Sequence, residues 1–171
     1  MSEPVTPSIR LAKLSDLPAI VDIYNQAIRS GIATGDLYEF KAQDREDWFA
    51  KFDPDSYPIY VIEIEGKIAG YGTLSPYRPG RKAMASIAEI SFFLDYGFHN
   101  QGLGSKLVQH MIDDCQRIGK KSLLAILLDV NAVSIGLLEK FGFEQWGHFP
   151  DVVQLRDQVC GQLIYGLKVS T

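Results

Sequence analysis

The stretch His99-Asn100-Gln101-Gly102-Leu103-Gly104-Ser105 decides the fold, because it connects a strand pattern to an amphipathic helix pattern. The strand pattern before it covers 87–94, and the helical spacing after it covers 103–118. A glycine-containing turn at the start of a helix presents free backbone N–H groups and the positive end of the helix dipole. The stretch therefore predicts either a phosphate-binding turn or a plain tight turn between strand and helix.

Two common phosphate-binding motifs do not fit this turn. The dinucleotide fingerprint needs a third glycine three residues after the second, and Leu107 occupies that position. A nucleoside triphosphate loop ends in Gly-Lys-Ser/Thr, whereas the order here is Gly104-Ser105-Lys106. The sequence thus disfavours NAD, FAD and nucleoside triphosphates as ligands.

The segments on either side predict a mixed α/β architecture. A buried strand pattern over 123–130 and a helix pattern over 133–141 continue the strand–helix alternation. In the first half, Glu65-Gly66-Lys67 joins two β-rich runs, which predicts an antiparallel hairpin. No repeat or linker interrupts the chain, so residues 1–171 are expected to form one domain.

Composition narrows the class of partner. The chain carries 17 Lys+Arg against 21 Asp+Glu, a formal charge of −4, and it has no basic cluster. Nucleic acids and anionic membranes both require a basic face, so we expect neither as a partner. Without a signal peptide or a long apolar run, the sequence predicts a cytoplasmic protein. Two distant cysteines, Cys115 and Cys160, predict neither a disulfide framework nor a metal site.

The second half resembles the GNAT superfamily of acetyl-CoA-dependent N-acetyltransferases. In that superfamily a Gln/Arg-x-x-Gly-x-Gly/Ala turn is followed by a strand ending in Asn, then by Ser and a helix finishing in Gly-Phe. The matching residues here are Gly102-Leu103-Gly104, Asn131, Ser134 and Gly142-Phe143. The resemblance implies a mixed, largely antiparallel central sheet that is splayed at the acetyl-CoA site, with helices on both faces.

The first half is similar to the phosphinothricin and methionine sulfoximine acetyltransferase branch of that superfamily. The matching segments include Asp16-Leu17, Ile23-Tyr24-Asn25, Arg45-Glu46, Trp48-Phe49 and Ala88-Glu89. The branch handles free amino acids, which implies a small amino acid or analogue as acceptor. By the same resemblance we expect a homodimer.

The resemblance also implies the cofactor-binding residues. The backbone of Phe92, Phe93 and Leu94 would pair with the pantetheine arm of acetyl-CoA, although on their own these residues predict a buried strand. The pyrophosphate would lie on amides of His99, Asn100, Gln101, Gly102, Leu103, Gly104 and Ser105, with His99 in place of the usual Gln or Arg. Asn131 and Ser134 would contact the cofactor, and Asn131 is also suited to be a helix N-cap.

Glu89 matches the glutamate that the branch places beside the acceptor amine. An ammonium cannot attack a thioester, so a half-buried carboxylate there would act as the general base. Without the motif, Glu89 would be an ordinary outward strand position. Leu138 stands where many members carry a Tyr or His that protonates the leaving thiolate, so no side-chain acid is expected there.

Arg78 and Arg81 are candidates for binding an acceptor carboxylate, with a solvated loop as the alternative. The expected reaction is direct acetyl transfer in a ternary complex without an acyl-enzyme. Cys115 falls on an apolar helix face and is therefore no candidate nucleophile. Two alternatives remain at this point. One is an acetyltransferase for protein or peptide amines, and the other is a non-catalytic acetyl-CoA sensor.

Overall fold

Seven strands form one sheet in the computed structural model, which describes Glu3 and residues 5–169. The strands, in chain order, are β1 Ser8–Leu11, β2 Ile59–Ile64, β3 Lys67–Pro76, β4 Ile87–Leu94, β5 Ser122–Leu128, β6 Glu144–Gln154 and β7 Val159–Lys168. The helices are α1 Leu17–Ser30, α2 Glu46–Ala50, α3 Leu103–Asp114 and α4 Ala132–Lys140. The order across the sheet is β1-β2-β3-β4-β5-β7-β6.

Most neighbouring strands run antiparallel. β4 and β5 are the parallel pair, and the five other neighbouring pairs in the described part of the chain are antiparallel. A parallel pair needs a crossover connection, which α3 supplies. The predicted mixed, largely antiparallel sheet is therefore confirmed.

Helices cover both faces of the sheet, as the side-chain alternation of β2 shows. Ile59 and Val61 pack in a cluster with α1 and α2, whereas Tyr60 and Ile62 pack in a cluster with α3 and α4. Alternate residues of a strand point to opposite faces, so β2 separates two apolar layers. The larger layer lies under α3 and includes Leu107, Met111 and Leu138 among its buried residues.

The hairpin between β2 and β3 has the predicted turn. Glu65 and Gly66 both have positive φ, at 51° and 76°. Two successive residues with positive φ are typical of the tight turn whose twist matches that of the flanking strands.

The side chain of Met111 from α3 packs directly over Gly72 in the middle of β3. A Cβ atom at Gly72 would be 2.5 Å from the Met111 sulfur, so a larger residue there would displace this side chain. The glycine thereby leaves room for Met111, which is buried in the larger apolar layer.

The predicted C-terminal end of α3, at Ile118, is wrong by four residues. The helix ends at Asp114, and the chain then turns through Gly119, whose φ is 71°. The Lys120 N–H donates to the Cys115 carbonyl over 2.8 Å and closes this turn. Ile118 is still buried, so the helical spacing of buried apolar residues continues beyond the last residue of the helix.

No helix in the described part of the chain combines the length and the apolar character that crossing a bilayer requires.

The start of α1 is tied to the sheet by a charged cluster. Arg10 on β1 donates to both oxygens of Asp16, over 2.8 and 2.9 Å, and also to Glu63 on β2 over 2.7 Å. Asp16 is only 6% exposed and also accepts the backbone N–H of Lys13. Its hydrogen bonds to Arg10 hold the pKa of the Asp16 carboxyl below its usual value.

Asp16→Asn should lower the free energy of unfolding by about 1–3 kcal/mol at pH 7, because a charge-assisted pair is lost. Because the folded-state pKa is lowered, this stabilisation is present above the ordinary aspartate pKa and is lost as pH falls through the folded-state value. Urea unfolding at several pH values measures it. Glu39→Gln, which removes an exposed partner of Arg29, should cost less than about 0.5 kcal/mol. Equal losses for the two variants would contradict this account of the cluster.

Candidate active site

The central feature of the site is a gap between β4 and β5. The two strands pair only where Ile87–Glu89 of β4 meets Ser122–Leu124 of β5. Beyond Glu89, residues 90–94 continue without a partner on that side within the described residues. Backbone N–H and C=O groups on such an edge need hydrogen-bond partners, so the gap can accept a ligand that carries amide groups. Phe92, Phe93 and Leu94 lie on this edge.

A turn with exposed amides follows β4. Asn100 and Gly102 adopt left-handed conformations, with φ of 63° and 74°, and α3 begins at Leu103. No side chain caps this helix at Gly102. The amides of Leu103, Gly104 and Ser105 in its first turn therefore have no partner within the helix. Together with the helix dipole they form a fitting cradle for a pyrophosphate.

Helix α1 holds this turn in place through Gln26. Its side-chain amide donates to an oxygen of Asp95 over 3.0 Å, and its carbonyl accepts the N–H of Tyr96 over 2.8 Å. The other oxygen of Asp95 accepts the N–H of Gly97 over 2.8 Å. Gln26 thus holds the segment that leads from β4 into the turn. Its place on an amphipathic helix did not predict this role.

The side chains at the turn differ in where they are directed. The His99 ring packs edge-on against Tyr96, and its Nε2 lies 3.3 Å from the carbonyl oxygen of Leu94. Lys140, at the end of α4, donates to the hydroxyl of Ser105 over 3.0 Å. His99 is thus directed towards β4, whereas the Lys140 ammonium lies beside the first turn of α3 and adds a positive charge to the backbone amides there.

Helix α4 borders the same region. Asn131 is its N-cap, because the side-chain oxygen accepts the Ser134 N–H over 3.2 Å. Leu138 is 1% exposed and belongs to the core under α3, so it offers no proton to a ligand in the gap. A cofactor role of Asn131 and Ser134 stays a prediction.

A cavity of about 400 Å³ opens on the α1 and α2 side of the gap. β4 contributes Glu89, Ser91 and Phe93 to it, because these alternate residues point to that face. The surrounding wall combines aromatic and hydroxyl side chains, which include Tyr24, Thr34, Trp48, Phe52, Tyr71, Thr73 and Ser75. Glu89 is the last residue of β4 to pair with β5, so it lies where the gap begins.

Burial raises the pKa of the Glu89 carboxyl above its ordinary value. Among the hydrogen bonds of the described residues, none involves its side-chain oxygens. Ser75 lies opposite Glu89 on β3, and Leu124 lies opposite it on β5. The carboxylate is half-buried, faces the cavity and remains free to accept a proton from a ligand.

The two arginines that were predicted to bind an acceptor carboxylate lie outside this cavity. Arg78 and Arg81 are exposed on the loop between β3 and β4, and neither lines the cavity that contains Glu89. Their role in acceptor binding stays a prediction. The cation in the cavity wall is instead Arg45, at the start of α2. Arg45, Tyr24 and Trp48 carried the family resemblance in the sequence, but only the folded chain brings them to Glu89.

The thiols are not placed for nucleophilic catalysis. Cys115 is buried under the sheet and donates to the Met111 carbonyl over 3.3 Å. Burial raises the pKa of its thiol to about 12, and burial also raises the pKa of Cys160. The active nucleophile is the thiolate, so neither group is activated at neutral pH. The described residues contain no cluster of metal-ligating side chains.

A sheet splayed beside an amide-lined turn, with a carboxylate at the junction, is the arrangement that the resemblance implies for an acetyl-CoA-dependent acyltransferase. The family comparison agrees: residues 17–143 match the model described as the acetyltransferase (GNAT) family. The chain belongs to this family of N-acetyltransferases, which confirms the resemblance found in the sequence.

Relatives and solved structures support the same assignment. The chain is 32% identical over 151 residues to the L-methionine sulfoximine/L-methionine sulfone acetyltransferase of Pseudomonas paraeruginosa, covering 88% of this chain and 87% of that protein. It is 28% identical over 141 residues to the phosphinothricin N-acetyltransferase of Streptomyces viridochromogenes, covering 81% and 75%. A Salmonella typhimurium protein solved with its cofactor acetyl-CoA superposes with a TM-score of 0.89 at 27% identity, covering 96% and 94%.

Proposed function

We propose that this chain transfers an acetyl group from acetyl-CoA to the primary amine of a small amino acid or analogue, directly and within a ternary complex. The observation that supports this most is the position of Glu89. It stands where the gap between β4 and β5 meets the cavity, so a donor in the gap and an acceptor in the cavity would meet beside it.

Acetyl-CoA would occupy the gap and the turn. The unpaired edge of Phe92, Phe93 and Leu94 would pair with the amides of the pantetheine arm. The pyrophosphate would lie on the amides of residues 99–105, next to the uncapped start of α3. Asn131 and Ser134 would contact the arm from the α4 side. Binding through backbone dipoles explains how a chain of net charge −4 can hold a polyanion.

Glu89 would take the proton from the acceptor ammonium, directly or through one water molecule. The amine nitrogen then forms a bond to the acetyl carbon, and the carbon–sulfur bond breaks. A raised pKa suits Glu89 to this task, because a stronger base takes a proton more readily from an ammonium. The nitrogen loses its second proton as the amide forms, and the leaving thiolate takes up a proton from solvent or from another ionisable residue, because Leu138 is buried and apolar and supplies none.

The cavity favours a small acceptor over a protein chain. Its volume of about 400 Å³ matches a compact small molecule. The α1–α2 segment closes one side through Thr34 and Trp48, while Val153 of β6 and Gln162 of β7 limit the other. The names of the relatives, which refer to methionine sulfoximine, methionine sulfone and phosphinothricin, point to the same class of acceptor.

We also infer that the chain acts in the cytoplasm as a homodimer that pairs along β6. This strand has eleven residues, forms an edge of the sheet and is exposed along most of its length. Trp146 is 47% exposed, Phe149 47% and Val152 60%. Exposed apolar side chains on an edge strand favour contact with another chain, and a second copy offers the same edge, whose register shifts between Gln145 and Gly147 and between Phe149 and Val153.

Gly104→Val should abolish acetyl-CoA binding. A Cβ at this position would lie 3.1 Å from the Leu137 side chain and 3.4 Å from the Leu94 side chain, so a valine must displace these side chains or shift the first turn of α3, whose amides form the cradle. We expect calorimetry to show an affinity loss of roughly 100-fold or more, equivalent to losing two charge-assisted hydrogen bonds. Circular dichroism without ligand controls for the fold. Unchanged affinity in a folded variant would overturn the cofactor assignment.

Glu89→Gln keeps the shape of the side chain and removes its basicity. Turnover at pH 7 should fall by ~10²- to 10⁴-fold, whereas acetyl-CoA affinity should stay nearly constant. The deficit should shrink at pH 9.5, because more of the acceptor is then already a free amine. Glu65→Gln, in the exposed hairpin turn, is the matched control and should behave as wild type.

The pH dependence separates two roles of Glu89. An equal rate deficit at pH 7 and pH 9.5 would mean that Glu89 orients the acceptor without taking its proton. Wild-type turnover of the variant at pH 7 would remove Glu89 from catalysis.

Val152→Asp should convert the dimer into a monomer, because two charges would face each other across a β6–β6 interface. Sedimentation velocity at micromolar concentration measures the change. Val5→Asp, at an exposed apolar residue outside the sheet, is the control and should leave the mass unchanged. A wild-type chain that sediments as a monomer would contradict the dimer.

A further inference from the structure

Arg45 has an unusual environment for a cation beside a catalytic cavity. Its guanidinium lies over three aromatic rings, with distances to the ring centroids of 4.4 Å for Trp48, 4.8 Å for Phe40 and 5.6 Å for Tyr24. Aromatic faces attract the positive charge and fix the plane of the group. They do not satisfy its five N–H donors, which point outwards from the edge of that plane.

No protein group in the described residues takes those donors. Arg10, Arg29 and Arg117 each have a carboxylate partner, whereas Arg78 and Arg81, which have none in the described part of the chain, are exposed on a loop and can be hydrated. Arg45 has none within 4.0 Å among the carboxylates that the structure describes. A half-buried guanidinium that aromatic rings hold in place, and whose N–H groups have no acceptor, can bind the anionic group of a ligand.

The charges of the cavity form a simple pattern. Of the side chains that line it, Arg45 is the cation and Glu89 is the carboxylate. Arg45 belongs to the helical wall at the start of α2, and Glu89 belongs to the sheet. A small molecule that carries both an ammonium and an acid group would therefore find a partner for each charge in one cavity.

We propose that Arg45 binds the carboxylate of the acceptor and so makes the cavity selective for amines that carry an acid group. The proposal rests on the function proposed above, in which Glu89 receives the amine proton. It assigns the anion contact to the aromatic-framed arginine of α2, not to Arg78 or Arg81 on the exposed loop. The planar fork of Arg45 suits bidentate contact with a carboxylate.

The test compares methionine sulfone with the amine obtained by replacing its carboxylate with hydrogen. In wild type, kcat/KM should be higher for the amino acid. Arg45→Gln should lower kcat/KM for methionine sulfone by ~10- to 100-fold, mainly through KM, as expected for loss of a charge-assisted contact. The same substitution should change kcat/KM for the decarboxylated amine less than about threefold, since that amine carries no group for Arg45.

Arg45→Lys retains the charge without the planar fork, so it should give an intermediate loss of kcat/KM for methionine sulfone. It replaces Arg45→Gln in the test if that variant does not fold. Arg78→Gln and Arg81→Gln are matched controls for the loss of one positive charge. A selective loss of methionine sulfone activity in either loop variant, with Arg45→Gln unaffected, would overturn the proposal. Equal losses on both substrates in Arg45→Gln would also overturn it, because the residue would then only support the aromatic wall.

Direct binding separates this proposal from the proposed function. Calorimetry with methionine sulfone, in the presence of CoA, should show a ~10- to 100-fold weaker Kd for Arg45→Gln and an unchanged Kd for CoA. If wild type transfers acetyl groups to no amine but Arg45→Gln still weakens methionine sulfone binding, the transferase proposal fails while the anion site stands. Equal methionine sulfone Kd values in the two proteins would overturn the anion site.

Discussion

The early end of pairing between β4 and β5 is the constraint on which the rest of the structure depends. Two parallel strands inside a sheet would normally satisfy each other's backbone groups along their full length. Here pairing stops after Glu89, and the residues that follow on β4 keep one edge without a strand. Because buried backbone groups need partners, this gap favours a ligand that can act as a strand. The turn and the acceptor cavity are both arranged around its opening.

The turn at the start of α3 would receive negative charge largely on backbone amides. The histidine in the turn contacts the carbonyl of Leu94, and the Lys140 ammonium contacts the hydroxyl of Ser105. The chain as a whole is acidic, with a net charge of −4. Fixed dipoles need no reorganisation when an anion arrives, and Gln26 of α1 holds the segment at Asp95 and Tyr96 that leads from β4 into the turn. The geometry of the turn is thus a property of the whole fold.

Local signals made much of this fold predictable. The glycine turn, the hairpin at Glu65-Gly66 and the apolar stripe of α3 each depend on residues that are neighbours in sequence. The end of α3 was not predictable in this way, because the buried positions Cys115 and Ile118 continue the helical spacing beyond the last helical turn. There, the reversal at Gly119 determines where the helix ends.

The acceptor cavity was the hardest part to predict, because its wall comes from distant segments. Glu89 could be identified from its motif, but Arg45 becomes a neighbour of that cavity only when α2 packs over the sheet. The loop arginines Arg78 and Arg81 were reasonable candidates by sequence proximity to Glu89. Neither of them lines the cavity that contains Glu89, and their role in acceptor binding stays a prediction.

The central claim is that the gap and the cavity together perform acetyl transfer to a small amino acid. The most direct measurement is release of the CoA thiol from acetyl-CoA by the purified chain, with methionine sulfoximine, methionine sulfone, phosphinothricin, common amino acids, polyamines and short peptides as acceptors. The account predicts acceptor-dependent thiol release with one or more free amino acids or their analogues, together with the N-acetylated product. Release with peptides alone, or none with any acceptor despite acetyl-CoA binding, would contradict it.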